Sequence, residues 1–330
     1  MACTEDDAVL DKPKLFVTRE LPPAVEARAG KDYDAQLNNE DVLHDTEALL
    51  AGCAGADALL VCPTDRLSAE VIERLPASIC VIASFSVGYD HVDIPAARSR
   101  GIVVTNTPDV LTDATADLTM MLLLGAARRA TEGEALIRTG GWTGWGPMHM
   151  RTGVHVTGKT LGIVGMGRIG RAVAKRARGF DMRIHYYDEI RVAEEEAAGA
   201  TYHAQLDDLL GVSAFLSLHC PSTPVTHHLL NAARVARLPD GAVVVNAARG
   251  DIVDDDALIA AVESGKLAAI GLDVYTGEPN LDERYRRLPN SFLMPHLGSA
   301  TVETRDAMGF TALDNLDAFF AGNPPPNAVT

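Results

Sequence analysis

TLGIVGMGRIGRAVAKRA, residues 160 to 177, is the stretch that decides the fold. An apolar run, three spaced glycines and a helical repeat follow one another, which predicts a strand, a tight turn and a helix. Gly165 would permit the turn, Gly167 would let a pyrophosphate approach the backbone, and Gly170 would let the helix pack closely on the strand. The free N–H groups at the start of that helix favour an anion. The stretch therefore predicts a dinucleotide-binding unit.

An acidic residue stands where this fingerprint needs one. A second apolar run, Met182 to Tyr187, ends in Asp188, about 20 residues past the glycines. A carboxylate there would bond the ribose hydroxyls and repel a 2′-phosphate, so we expect NADH to be preferred. NADP stays possible because Arg191 is close in sequence. The alternative is that Asp188 is only a turn residue at the end of a strand.

Composition places the chain among globular proteins with two domains. Its 330 residues are 47% hydrophobic, enough for large cores. The formal net charge of -16 argues against nucleic acid or an anionic membrane as a partner. Five cysteines without metal-ligand spacing fit a reducing compartment, and the most apolar window, Leu118 to Ala127, is too short to cross a bilayer. We expect a cytoplasmic protein that holds no metal.

Strand and helix signals alternate along the chain, which predicts an α/β fold with parallel sheets and helical crossovers. A first unit has no glycine fingerprint. Asp113 to Arg138 then predicts one long helix, and a glycine-rich loop after it holds Trp142 and Trp145. Six strands are predicted in the second unit, at 161–164, 182–187, 215–218, 242–245, 270–274 and 292–294.

The last predicted helix, Thr301 to Phe320, follows the sixth strand and has no place in the second unit. We expect it to return to the first. The expected architecture is two doubly wound parallel-sheet domains of Rossmann and flavodoxin-like type with a cleft between them. Residues 1–108 and 300–330 would form a discontinuous substrate-binding domain, and residues 109–299 the NAD(P)-binding Rossmann domain.

Three candidate catalytic residues follow predicted strands, where open parallel sheets bind ligands. Arg249 could grip a carboxylate and a keto oxygen in bidentate fashion, or could be a surface arginine in a salt bridge. His296 could exchange a proton near neutral pH, or could be structural. Glu278 could bond the far ring nitrogen of that histidine, or could be an ordinary loop residue. All three are expected on the same sheet edge as the glycine turn.

Six segments in this order carry a family resemblance: SVGYDHVD at 86–93, TPDVLT at 107–112, the glycine turn, VNAARGDIV at 245–253, GLDVYTGEP at 271–279 and PHLGSAT at 295–301. Nearly the whole chain resembles the D-isomer-specific 2-hydroxyacid dehydrogenases, most closely the glyoxylate/hydroxypyruvate reductases. The resemblance implies Arg249 as the substrate-binding electrophile, His296 as the proton donor and Glu278 as its partner. It also implies substrate contacts from the backbone of Val87 and Gly88.

The same resemblance implies a cofactor site. Arg168 and Ile169 would cover the pyrophosphate. The other implied contacts are Cys220, Pro221 and Thr226 on the adenosine and phosphate side, and Ala247, Ala248, Asp273, Gly298 and Ser299 at the nicotinamide end. One departure is Asp117, where members of the family commonly carry glutamate.

The expected function is NAD(P)H-dependent reduction of small anionic 2-keto acids, with glyoxylate and hydroxypyruvate leading. Alternatives are another D-2-hydroxyacid dehydrogenase, of D-lactate or D-glycerate type, and a non-catalytic dinucleotide-sensing scaffold. Glu278 disfavours formate oxidation, because the formate enzymes carry glutamine there. The chain end at Thr330 and the cation-free loop 84–89 disfavour phosphoglycerate oxidation.

A homodimer is also expected. A loop with two indoles has little core of its own, so its rings need another surface. In the reductases that this chain resembles, a tryptophan from such a loop reaches the partner's substrate site, and Trp145 best matches that position. The alternative is that both rings pack within one chain.

Overall fold

The computed structural model describes residues 12–148, 152–193, 197 and 199–330, and the chain divides into two units. The first unit runs to Leu111 and resumes over Thr301–Thr330. The second unit is Thr112–Ala300. The domain boundaries therefore fall at 111/112 and 300/301, where the sequence predicted 108/109 and 299/300.

The first unit contains a five-stranded parallel sheet with the order β2-β1-β3-β4-β5. Its strands are β1 Lys14–Val17, β2 Asp34–Gln36, β3 Ala58–Val61, β4 Val81–Ser84 and β5 Val103–Thr105. Its first helices are α1 Pro23–Asp32, α2 Thr46–Gly52, α3 Ala69–Arg74 and α4 Ile94–Ser99. The strand order reverses between β1 and β3, as in flavodoxin-like folds.

The second unit contains a seven-stranded parallel sheet with the order β12-β11-β10-β9-β6-β7-β8. Its strands are β6 Thr160–Val164, β7 Arg183–Tyr187, β8 Thr201–Tyr202, β9 Phe215–Leu218, β10 Ala242–Asn246, β11 Leu267–Leu272 and β12 Ser291–Leu293. Its helices are α5 Thr112–Ala127, α6 Ala130–Arg138, α7 Arg168–Ala177, α8 Leu206–Val212, α9 Ala232–Val235 and α10 Asp255–Glu263, with 3-10 turns at Arg178–Phe180, Gly250–Ile252 and Glu283–Arg287. The predicted fold class and six of these strands are confirmed.

Both faces of the second sheet are buried, because helices cover each of them. On one face, residues of α5 and α7 such as Leu123 and Val173 pack against Ile163 and Val245. On the other face, α8, α9 and α10 pack against alternate residues of the same strands. β10, whose sequence is AVVVN, is accordingly buried along its whole length.

The single long helix predicted over Asp113 to Arg138 is wrong. The chain forms α5 and α6 instead, and Arg129 between them has a left-handed backbone with a φ of 55°. The guanidinium of Arg129 bonds both carboxylate oxygens of Glu132 at 2.6 Å. A non-glycine residue in this conformation carries no sequence signal, so the break was not predictable from glycine or proline.

The last helix, α11 Val302–Phe320, belongs to the first unit. Thr301 caps it by accepting a hydrogen bond from the Thr304 N–H at 3.1 Å. Its apolar residues pack with Leu15 and Val25 in the core of that unit. None of the helices in the described residues is long and apolar enough to span a membrane.

The packing of α5 on β11 gives a prediction for Gly271. A Cβ at this position would lie 2.7 Å from the carbonyl oxygen of Leu122 in α5. Gly271→Ala should therefore lower the free energy of unfolding by about 1–3 kcal/mol, measured in urea, because backbone must shift to admit one methyl group. The matched control is Gly211→Ala in α8, where a Cβ meets no atom within 4 Å. If both variants had wild-type stability, the packing of α5 on β11 would be described wrongly.

Candidate active site

The predicted site residues of the second unit lie in loops at one edge of its sheet. Its strands are parallel, so their carboxyl ends share that edge. Backbone hydrogen bonds continue the ladder into the loops: His219 N–H donates to the Val164 carbonyl at 2.8 Å, and Asp273 N–H donates to the Asn246 carbonyl at 3.0 Å. The loops after β9 and β11 are therefore extensions of the sheet with fixed positions.

Glycine is needed for different physical reasons at the three positions of the turn after β6. Gly165 has a φ of 92°, and a Cβ there would lie 2.7 Å from the Cys220 backbone nitrogen. A Cβ at Gly170 would lie 2.1 Å from the Gly165 carbonyl oxygen. At Gly167, the N-cap of α7, a Cβ would meet no atom of the described residues within 4 Å. Protein packing thus explains Gly165 and Gly170, while Gly167 leaves open space at a helix start, which fits an anionic cofactor.

Asp188 is fixed beside this turn. Its Oδ2 accepts a hydrogen bond from the Met166 N–H at 2.7 Å. The guanidinium of Arg191 lies 5.6 Å from the centre of the Tyr202 ring, a cation–π contact. Arg168 and Ile169, also expected near the cofactor phosphates, occupy the first turn of α7.

The loop after β9 contains the other residues expected near the adenosine. Thr226 is buried, and its hydroxyl donates to the Pro221 carbonyl at 2.6 Å and accepts from the Thr223 N–H at 2.8 Å. That hydroxyl therefore closes the loop. Burial raises the pKa of the Cys220 thiol to about 12, so this cysteine stays protonated. Burial also lowers the pKa of His219 to about 4, which leaves its imidazole neutral.

Arg249 stands three residues after β10, in a loop that the Asn246 side chain holds. The Asn246 Nδ2 donates to the Arg249 carbonyl at 2.8 Å, and its Oδ1 accepts from the Ala248 N–H at 3.0 Å. A Cβ on the next residue, Gly250, would lie 2.0 Å from the Tyr275 carbonyl carbon. The loop of Arg249 therefore packs directly on the loop that follows β11. Sequence reasoning missed Asn246, although a polar residue at the end of a buried valine run was a usable signal.

Glu278 and His296 form the pair that the sequence predicted. His296 Nδ1 lies 2.7 Å from Glu278 Oε2, and Glu278 Oε1 accepts the Tyr275 N–H at 2.7 Å. A carboxylate accepts hydrogen bonds, so Nδ1 carries a proton and Nε2 is left to exchange one. The His296 side chain is 43% exposed, so a ligand can reach the ring.

Asp273 holds the turn that carries His296. Its buried carboxylate accepts the N–H groups of Leu297 at 2.7 Å and Gly298 at 2.8 Å, and its carbonyl accepts the His296 N–H at 2.8 Å. Burial raises the pKa of the Asp273 carboxyl, and the bond from Leu297 opposes that rise. His296 itself has a left-handed backbone with a φ of 55°. Asp273, expected only at the nicotinamide end, thus fixes a strained turn.

The remaining predicted residues lie in four places. Ala247 and Ala248 follow β10, while Gly298 and Ser299 follow His296. Trp145 is 84% exposed in the loop after α6. Val87 and Gly88 belong to the first unit, after β4. No group of three metal-binding side chains occurs within the ranges that the structure describes.

Comparisons with known proteins agree with this arrangement. The model of the family described as D-isomer specific 2-hydroxyacid dehydrogenase, NAD binding domain, matches residues 120–298. Glycerate dehydrogenase of Hyphomicrobium methylovorum is 47% identical over 95% of this chain and 98% of its own length. Glyoxylate reductase of Thermococcus litoralis is 44% identical over 96% of this chain and 97% of its own.

A solved structure is also similar over the whole length. A Polaromonas protein assigned to the D-isomer-specific 2-hydroxyacid dehydrogenases superposes with a TM-score of 0.92 and 45% identity, covering 97% of this chain and all of its own. Relatives that are more than 40% identical over nearly the whole chain and a family model that matches more than half of its residues indicate the same family. The chain belongs to the D-isomer-specific 2-hydroxyacid dehydrogenase family.

Proposed function

We propose that the chain reduces small 2-keto acids, with glyoxylate and hydroxypyruvate as the leading substrates and NADH as the reductant. The His296–Glu278 pair carries this proposal, because a carboxylate that fixes Nδ1 leaves Nε2 as a proton donor at a sheet edge. The names of the relatives, glycerate dehydrogenase and glyoxylate reductase, support the substrate class.

The residues of the glycine turn fit a dinucleotide. The N-terminus of α7 and the open space at Gly167 suit the pyrophosphate, with Arg168 and Ile169 over it. Asp188 suits the ribose, because only one of its oxygens is used by the Met166 N–H. When bound, NADH supplies the hydride that reduces the keto carbon.

The chain's own residues supply the rest of the reaction. His296 Nε2 gives its proton to the substrate oxygen as negative charge develops there. Glu278 stabilises the imidazolium that precedes this transfer and holds the ring in one orientation. Arg249 binds the substrate carboxylate and polarises the carbonyl; Asn246 holds its backbone, and its guanidinium donates to the Ala248 carbonyl at 2.8 Å. The backbone of Val87 and Gly88 in the first unit is the further proposed contact for the carboxylate.

Replacing the proton donor tests this mechanism. His296→Ala should lower kcat with glyoxylate and NADH by roughly 100-fold or more, because the developing alkoxide has no acid. Glu278→Gln should lower kcat less, because the amide oxygen can still accept the Nδ1 proton and hold the ring but carries no negative charge.

The matched control is His227→Ala, an exposed histidine of the loop after β9. Its kcat should equal that of the wild type. Near-normal turnover of a folded His296→Ala variant would show that His296 is not the acid, and a wild type that binds NADH without turning over any 2-keto acid would favour the sensing scaffold.

Cofactor choice is a second test. We predict a higher kcat/KM with NADH than with NADPH, because the carboxylate of Asp188 would face a 2′-phosphate with like charge. Asp188→Ala should narrow the difference between the two cofactors by raising the KM for NADH. A wild type that prefers NADPH would mean that Asp188 does not reach the ribose.

We further infer a homodimer that works in the cytoplasm. None of the residues of α6 is buried, and the loop after it exposes 55% of Trp142 and 84% of Trp145. So large an apolar surface favours a protein partner, and a second copy satisfies it by symmetry. Unbridged thiols at Cys53, Cys62, Cys80 and Cys220 suit a reducing compartment.

The dimer proposal assigns Trp145 to the partner's substrate site. Trp145→Ala should change the ratio of kcat/KM for hydroxypyruvate to that for glyoxylate, while light scattering still gives the mass of a dimer. Trp142→Ala is the control and should leave that ratio unchanged. A monomeric wild type would refute the dimer, and an unchanged ratio in Trp145→Ala would refute the assignment of the ring.

A further inference from the structure

The turn that carries His296 is held by helix α5 as well as by Asp273. The hydroxyl of Thr115, near the start of α5, donates a hydrogen bond to the Gly298 carbonyl at 3.2 Å. Thr115 is 5% exposed, and Gly298 is buried. A Cβ at Gly298 would lie 3.4 Å from Asp273 Oδ2 and 3.4 Å from both Oγ1 and Cγ2 of Thr115. Gly298 is therefore packed between these two side chains.

The hydrogen bond from Thr115 has one possible direction. A hydroxyl has one proton, and the Gly298 carbonyl can only accept it. The neighbouring hydroxyl on the same helix, that of Thr119, gives its own proton to the Thr115 carbonyl at 2.8 Å and is not available to Gly298. Because Thr115 and Gly298 are both buried, water cannot replace this donor at low cost.

Fixing the Gly298 carbonyl also fixes the N–H of Ser299. The two groups belong to one planar trans peptide unit, in which they point in opposite directions. The carbonyl points at α5, so the Ser299 N–H points away from α5. Within the part of the chain that the structure describes, no group accepts a hydrogen bond from this N–H. Ser299 is only half-buried, so its N–H is a donor that a bound ligand can use.

The strand order indicates which part of a dinucleotide would reach this donor. Asp188 follows β7, the glycine turn follows β6, and the sheet continues from β6 through β9 and β10 to β11 and β12. A cofactor with its adenosine ribose at Asp188 and its pyrophosphate at the glycine turn must extend toward β11 and β12. Ser299 lies in the loop after β12, on the side of the nicotinamide. The carboxamide of that ring has a carbonyl oxygen, which accepts hydrogen bonds.

We propose that Thr115 is a positioning residue that aims the Ser299 N–H at the carboxamide oxygen of the nicotinamide. The inference rests on the proposed function, because it needs NADH as the bound cofactor. Thr115 acts through the peptide unit between Gly298 and Ser299 rather than by touching the cofactor. Loss of its hydroxyl should therefore weaken binding of the nicotinamide half and leave binding of the ADP-ribose half unchanged.

The test compares Kd values for NADH and for ADP-ribose, which lacks the nicotinamide. Thr115→Val removes the hydroxyl and keeps the branched shape of the side chain. Its Kd for NADH should rise roughly two- to tenfold, the effect of one net hydrogen bond, while its Kd for ADP-ribose stays within about twofold of the wild type. Thr115→Ser keeps the donor and should restore wild-type binding of NADH.

The matched control is Thr119→Val. It removes a fully buried hydroxyl one helical turn further along α5, and it should leave both Kd values unchanged. A measurement on the wild type does not depend on the folding of any variant. In isotopically labelled protein, the amide proton resonance of Ser299 should move downfield when NADH binds and much less when ADP-ribose binds.

Three results overturn the inference. Equal changes in the Kd for NADH and for ADP-ribose in Thr115→Val, or no change in either, would show that the hydroxyl only stabilises the unit. The same loss of NADH binding in Thr119→Val would make it a general effect of α5 packing. An equal shift of the Ser299 resonance with both ligands would show that its N–H does not meet the nicotinamide. A wild type that does not bind NADH would instead refute the proposed function itself, so the two failures are distinguishable.

Discussion

The candidate active site depends on two hydrogen bonds, which the N–H groups of Leu297 and Gly298 donate to the buried Asp273 carboxylate. The chain after β12 must turn sharply to expose His296, and that turn requires a left-handed backbone at a residue other than glycine. Two N–H groups bonded to one buried carboxylate stabilise the turn. Because Asp273 directly follows the neighbouring strand β11, the position of His296, the proposed proton donor, is set by the sheet itself.

The same principle applies to the other proposed active-site residues of the second unit. Arg249 is held through Asn246 at the end of β10, and Glu278 through the Tyr275 N–H after β11. The Tyr275 hydroxyl also donates to the Met294 carbonyl at 3.1 Å, which ties the ends of β11 and β12 together. Each functional side chain is thus one or two hydrogen bonds from a buried parallel strand. Such anchoring supplies the preorganisation that charge stabilisation in a transition state requires.

Much of this could be predicted from the sequence, because the informative residues have local causes. Apolar runs of four to six residues and the spacing of Gly165, Gly167 and Gly170 indicate the second sheet and its cofactor edge. β8 was missed because two residues leave no periodic pattern, and β2, with the sequence DAQ, has no apolar run. The interruption between α5 and α6 at Arg129 was missed because a left-handed backbone at a residue other than glycine leaves no sequence signal. The position of Asn246 at the end of a valine run was a signal, but its hydrogen bonds to Ala248 and Arg249 depend on the conformation of the loop, which spacing alone does not show.

The most direct test of the central claim is to follow the transferred hydride into the product and to determine the handedness of that product. Hydroxypyruvate would be reduced with NADH that carries deuterium at the transferred position, and the glycerate would be analysed for deuterium and for handedness. A chain whose sheet edge fixes His296 and Arg249 relative to the cofactor should give D-glycerate with deuterium at the former keto carbon. L-glycerate, a racemic mixture, or product without that deuterium would contradict the account.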